Sequence, residues 1–162
     1  MYCPNHHNPN SAGTLLMWQR KLVADGRLAV TMPSDADLSP DGRLVSVGFQ
    51  WGGHDLQIAG VYCPNDSVER QQFITNIVGP AWQQHSHNNI FLGDWNFVEN
   101  PGVDRVSRSH TGQPFANDNP STRAWQTVAP ANVDAFRLLH PATRSFTFFA
   151  TNRHMARLDR AY

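Results

Sequence analysis

The stretch L-V-S-V-G-F-Q-W-G-G-H-D-L-Q-I-A-G-V-Y, residues 44–62, constrains the fold more than any other part of the chain. Val45, Val47, Phe49 and Trp51 recur at period two, which places them on one face of an extended strand. Gly52-Gly53 then turns the chain, and a second strand-like run returns to Tyr62. The pattern predicts a β-hairpin over residues 43–62.

The flanking sequence predicts helices and further strands. Asp66 with Glu69 three residues later is a capping-box pattern. Phe73, Ile77 and Val78 keep helical spacing as far as Gly79-Pro80, with room for one more turn to His85. N-I-F-L-G-D, residues 89–94, reads as a short, fully buried strand. Residues 98–121 are rich in Gly, Pro, Asn and Ser and read as a long loop. A helix over 121–128 capped by Ser121 is expected next, then a short helix from Val133 to Leu139 that His140-Pro141 ends. S-F-T-F-F and A-R-L-D-R-A-Y are strand-like. Upstream, G-T-L-L-M-W from Gly13 to Trp18 reads as a strand, and A-D-G-R and P-D-G-R are turn signals. Residues 1–12 read as an irregular tail, and residues 13–162 as the domain. The chain ends at Tyr162 inside a strand-like stretch, which leaves truncation or an edge strand as the two accounts.

The chain's 162 residues suit one domain. No stretch approaches the roughly 20 apolar residues of a membrane span, and the N-terminus has no signal-peptide pattern. Cys3 and Cys63 are the two cysteines, too few for a disulfide framework, so a reducing interior is expected. Charge is unevenly spread. Residues 1–100 carry five basic and nine acidic groups, whereas residues 101–162 carry eight Arg and four Asp. That second part is either a mixed solvated surface or an arginine-rich phosphate-binding face.

Residues 91–96 read F-L-G-D-W-N, an apolar run ending on a carboxylate and a carboxamide. Asp94 and Asn96 share a side in extended backbone. A carboxylate holds a hard cation or activates a water, and a carboxamide donates to a phosphate oxygen without repulsion. The plainer account of Asp94 is a turn cap after a strand. Tyr62 is a site aromatic or a ring packed at the core rim, and Asp159 a site carboxylate or a partner of Arg157. On a continuous strand Arg157 and Asp159 share a face and Arg160 does not. Asp104 with Arg105 is expected to brace the long loop. Cys3, His6 and His7 fit no zinc spacing.

Taken in order, V-Y-C-P-N, F-L-G-D-W-N-F-V-E-N-P-G-V-D-R, V-D-A-F-R-L-L-H-P-A-T-R-S-F-T-F-F and A-R-L-D-R-A-Y resemble the endonuclease/exonuclease/phosphatase superfamily. Within it the chain looks most like the endonuclease domain of LINE-type non-LTR retrotransposons. The resemblance covers residues 12–162. It implies an α/β (α+β) four-layer sandwich of the DNase I-like type, two facing mixed β-sheets with outer helices, here incomplete. It also implies a DNA phosphodiesterase dependent on Mg²⁺ or Mn²⁺, an intracellular setting that includes the nucleus, and DNA and the remainder of a retroelement protein as partners. By that resemblance Asp94 orients or deprotonates the attacking water and is a weak metal ligand. Asn96 contacts the scissile phosphate, Tyr62 sits over it, and Asp159 orients a catalytic histidine. Arg105, Arg137, His140, Arg144 and Arg157 are expected to face DNA.

The chain departs from the family in two places. Its two glutamates, Glu69 and Glu99, both follow Tyr62, so the family's early metal-ligating Glu has no counterpart. All eight histidines precede Asp159, so the family's terminal Asp-His pair has none either. Groups that act as a unit fail together. The expectation is therefore a domain truncated at both ends, with impaired or absent hydrolysis, exposed sheet edges and marginal stability. The alternative is a non-catalytic nucleic-acid-binding remnant that uses the arginine-rich half.

Overall fold

The computed structural model describes residues 1–5, 13–31, 38–84, 88–106, 118–150 and 154–162. The predicted hairpin is present as β4 (Leu44–Trp51) and β5 (His54–Tyr62), paired antiparallel with Trp51 opposite His54. Around it lie β1 (Tyr2–Pro4), β2 (Gly13–Leu15), α1 (Arg20–Ala24) and β3 (Leu28–Thr31) on the N-terminal side. On the C-terminal side come α2 (Ser67–Phe73), α3 (Gly79–Gln84), β6 (Asn89–Asp94), α4 (Pro101–Asp104) and β7 (Arg105–Val106). The chain closes with α5 (Asn119–Val128), α6 (Ala135–Leu139), β8 (Phe148–Phe149), β9 (Met155–Ala156) and β10 (Asp159–Ala161).

The main sheet has the order β10-β6-β5-β4-β3, with β5 and β6 parallel and the other pairs antiparallel. A parallel pair needs a long crossover, and the α2–α3 segment supplies it. Alternation along the hairpin separates two cores. Leu44, Ala59, Val61, Cys63 and Phe91 face the helices, against Phe73, Ile74, Val78 and Trp125. Val45, Val47 and Phe49 face the other way, against Cys3 and Leu16. There the β1–β2 ribbon lies over β5. Gly60 admits it, because a Cβ at that position would come within 2.6 Å of the Thr14 methyl. This is the α/β architecture expected of an incomplete sandwich, with helices on one sheet face and a two-stranded ribbon on the other.

Several local expectations are corrected. Gly79-Pro80 does not end the first long helix. A π turn at Ile74–Val78 resets the ladder, so Pro80 falls in the first turn of α3, where a missing N–H costs little. Asp118, not Ser121, caps α5 by accepting from the Ser121 N–H, and Ser121 itself is buried under Arg70. The 98–121 segment is not all loop, since it contains α4 and β7. Residues 2–4 of the presumed irregular tail form a strand, with Cys3 buried and its thiol donating to Ser39 O at 3.4 Å. His6, His7 and His85 lie outside the described residues. β6 is not fully buried. Phe91 is covered by the helices, whereas Ile90 and Leu92, paired with Ile58 and Gly60 on the ribbon's side of the sheet, are 37% and 38% exposed. Trp51 is likewise exposed. No helix among the described residues is long and apolar enough to cross a membrane.

Candidate functional site

Strand register places three of the four expected catalytic residues in one row across the sheet. Tyr62, the last residue of β5, pairs with Asp94, the last of β6. Asp94 pairs in turn with Asp159, the first residue of β10. Directly paired residues point to the same sheet face with Cβ atoms about 5 Å apart. Tyr62, Asp94 and Asp159 therefore stand side by side at one end of the sheet, although 97 residues of numbering separate the first from the last.

The backbone around Asp94 is held tightly. Gly93 has φ of 144°, and a Cβ there would collide with the Val61 carbonyl oxygen, so the close approach of β6 to β5 requires glycine. Cys63 N donates to Asp94 O at 2.8 Å, and Trp95 N donates to Leu158 O at 3.0 Å. Trp95 is fully buried against Trp125 and Tyr162, which anchors the turn that follows. Asp94 Oδ1 accepts from Asn96 N at 2.9 Å, closing an Asx turn with Asn96 in the left-handed region at φ 52°. The turn-cap account of Asp94 is met, and it uses one carboxylate oxygen, Oδ1.

Asp94 is half-buried. Burial pushes its carboxyl above the ordinary carboxylate range, the Asn96 N–H works against this, and the neighbouring Asp159 adds to it. Asp159 is exposed, and its N–H donates to Thr147 Oγ1 at 3.1 Å, as does that of Leu158. Asn96 does not stand in the row. Its Nδ2 donates to Cys63 O at 2.7 Å, tying the turn to the end of β5. Beyond that, Arg70 is buried and donates from Nη1 to Pro64 O and Asn65 O, both at 2.8 Å, and pairs with Asp118. It fixes the loop that leaves Tyr62. Sequence reasoning missed Arg70 and Thr147. The helical position of Arg70 gave no signal, whereas Thr147 lies within the quoted S-F-T-F-F.

Two of the five residues expected to face DNA, Arg157 and Arg137, are turned to internal carboxylates. Arg157 is 3% exposed and donates to both Asp104 and Asp134. Arg137 also pairs with Asp104 and holds His140 O and Thr143 O. Asp104 therefore binds two arginines distant in sequence, Arg137 and Arg157. Burial works to raise its carboxyl, and the hydrogen bonds from Arg157 and Arg137 outweigh that and hold it below the ordinary range. Asp159 is not the partner of Arg157. The stretch A-R-L-D-R-A-Y is no single strand, for it breaks between β9 and β10, so Arg157 turns inward while Asp159 stays exposed. Arg160 is buried too, donating to Phe97 O and to the Tyr162 hydroxyl. Arg144 is exposed and donates to Gly102 O at 3.2 Å; His140 is exposed and packs on Phe136; Arg105 is half-buried in β7.

For a divalent cation the described residues offer the Asp94–Asp159 pair, and no group of three His, Cys, Asp or Glu side chains among them could hold a metal. Mg²⁺ keeps several waters and takes one or two carboxylates together with substrate phosphates, and the pair fits that mode.

No protein-family model matches the chain. Solved structures do. An AP endonuclease from Archaeoglobus fulgidus matches with a TM-score of 0.58 at 18% identity, over 77% of this chain and 54% of that one. The endonuclease domain of TRAS1, a telomere-specific non-LTR retrotransposon, matches with a TM-score of 0.52 at 13% identity, over 83% of this chain and 54% of the other. The 3′ phosphatase NExo from Neisseria, solved with a product DNA hairpin, matches with a TM-score of 0.53 at 15% identity, over 83% and 56%. The chain shares the fold of these structures, and it spans about half the length of those it matches.

Proposed function

We propose that this chain is a Mg²⁺-dependent, phosphodiester-hydrolysing endonuclease domain of the retrotransposon type, acting on DNA with impaired hydrolysis. The observation that carries this reading is the row Tyr62–Asp94–Asp159 at the end of the main sheet. The nuclease-type fold of its structural neighbours supports it, as does the DNA hairpin held by one of them. In this reading a DNA phosphate rests over Tyr62. Asp94, with a carboxyl raised by burial, takes a proton from the attacking water, the direction that favours a general base. Asn96 spends one amide hydrogen on Cys63 O and turns the other to a phosphate oxygen. Asp94 and Asp159 together would hold Mg²⁺ or Mn²⁺, which supplies offset of the negative charge developing on the phosphate.

In this reading hydrolysis is impaired because the row, among the described residues, supplies two carboxylates without a third ligand to hold the cation. The second reading, a binding remnant using the arginine-rich half, loses support because Arg137, Arg157 and Arg160 are spent on internal partners. The test is nicking of supercoiled plasmid with Mg²⁺ by the wild type beside Asp94→Ala. The expected outcome is slow nicking that Asp94→Ala abolishes. Equal nicking by both proteins would remove Asp94 from the reaction.

A further inference from the structure

We infer that Arg43 is a phosphate anchor of this site, the fourth member of the row and its cationic end. The inference rests on the row being a phosphodiester site. Tyr62 N donates to Arg43 O at 2.8 Å, which continues the β4–β5 ladder one residue beyond β4 and sets Arg43 opposite Tyr62. Paired residues share a face, so the order across the sheet is Arg43, Tyr62, Asp94, Asp159. The guanidinium lies 4.9 Å from the centre of the Tyr62 ring, and Nη1 donates to Tyr62 O at 3.4 Å.

Spacing gives this order a chemical meaning. Neighbouring strands are about 4.8 Å apart. A phosphate over Tyr62 therefore lies one strand from Arg43 and one strand from Asp94. Its non-bridging oxygens then meet a cation on one side. The water-activating carboxylate stands on the other, and the guanidinium's ionic partner is Asp41. A guanidinium stacked on an aromatic ring is pre-set for a bidentate contact with phosphate oxygens. Arg43 differs here from Arg70, Arg157 and Arg160, whose side chains are buried. Its side chain is 21% exposed, and its ionic partner is Asp41, at 3.6 Å and itself 39% exposed. Such an exposed pair is weak. Asp41 Oδ1 is already occupied by Ser39 Oγ at 2.6 Å and Arg43 N at 3.2 Å, so a phosphate can take over the guanidinium without unmaking the turn.

The test is DNA binding followed by fluorescence anisotropy, with a duplex of about 20 base pairs, EDTA present, and salt varied between about 50 and 200 mM. Arg43→Gln is compared with Arg43→Lys and the wild type, each checked for folding by thermal melting. One lost phosphate contact lowers the salt slope by about 0.9, so over that fourfold range the wild type loses about 3.5-fold more affinity than Arg43→Gln. Arg43→Lys keeps the slope and binds more weakly, having the charge without the fork. An unchanged slope in Arg43→Gln overturns the assignment, and so does a slope lost in folded Arg43→Lys. Absence of DNA binding by the wild type overturns the anchor and the nuclease reading together. An Arg43-dependent slope in a protein that nicks no plasmid supports the anchor and removes hydrolysis alone.

Discussion

Arg157→Met separates an internal role for the arginine-rich half from a DNA-facing one. Arg157 is buried and donates to Asp104 at 2.7 Å and to Asp134 at 2.5 Å. Removing it leaves Asp104 with Arg137 and takes from Asp134 the arginine that binds both its oxygens. Breaking one partner of a buried pair costs about 3–5 kcal/mol, a large share of the roughly 5–15 kcal/mol of a whole domain. At a urea m-value of about 2 kcal/mol/M the midpoint falls by about 1.5–2.5 M. Tryptophan fluorescence reads this directly, because Trp95 and Trp125 are fully buried. The pH dependence adds a sign. The Asp104 carboxyl is held below its ordinary value, so the stability it contributes is fully present above the unfolded carboxylate pKa of about 3.9 and is lost as pH falls through the folded one. Arg157→Met should therefore flatten the acid limb of the stability curve. A variant with an unchanged urea midpoint and a reduced salt slope for DNA would refute the internal role.

Three further outcomes follow from the geometry. Gly93→Ala places a methyl against the Val61 carbonyl oxygen at positive φ, and should cost at least about 1–3 kcal/mol in urea unfolding while displacing Asp94. Asp94→Asn keeps the acceptor for Asn96 N and removes a like-charge neighbour of Asp159. It should gain about 0.2–1 kcal/mol at neutral pH, with the gain vanishing in acid, because a raised carboxyl contributes stability at low pH that is lost as pH rises through it. Cys63 is fully buried with its thiol pushed up to about 12, so a thiol reagent should label it only on unfolding.

Much of the site was legible in the sequence, and for one reason. The Gly52-Gly53 turn fixes the hairpin register, and counting back from it sets residue 43 opposite residue 62. F-L-G-D then marks the neighbouring strand end. What was not legible depends on partners distant in sequence. Arg157 finds Asp104 and Asp134 at separations of 53 and 23 residues, and no local pattern distinguishes an arginine aimed at buried carboxylates from one aimed at DNA. The partial exposure of β6 has the same origin, since periodicity reports an apolar run and not what lies across it. The π turn at Ile74–Val78 was hidden because Gly-Pro ordinarily ends a helix.

The central claim is that DNA meets this protein at the Arg43–Tyr62–Asp94–Asp159 row. Mapping backbone amide shifts by NMR as a short DNA duplex is added tests it most directly. The account predicts changes concentrated at residues 43, 62, 94, 96 and 159, with Arg137 and Arg157 unmoved. Changes concentrated at Arg137, His140 and Arg144, with the row silent, would contradict it.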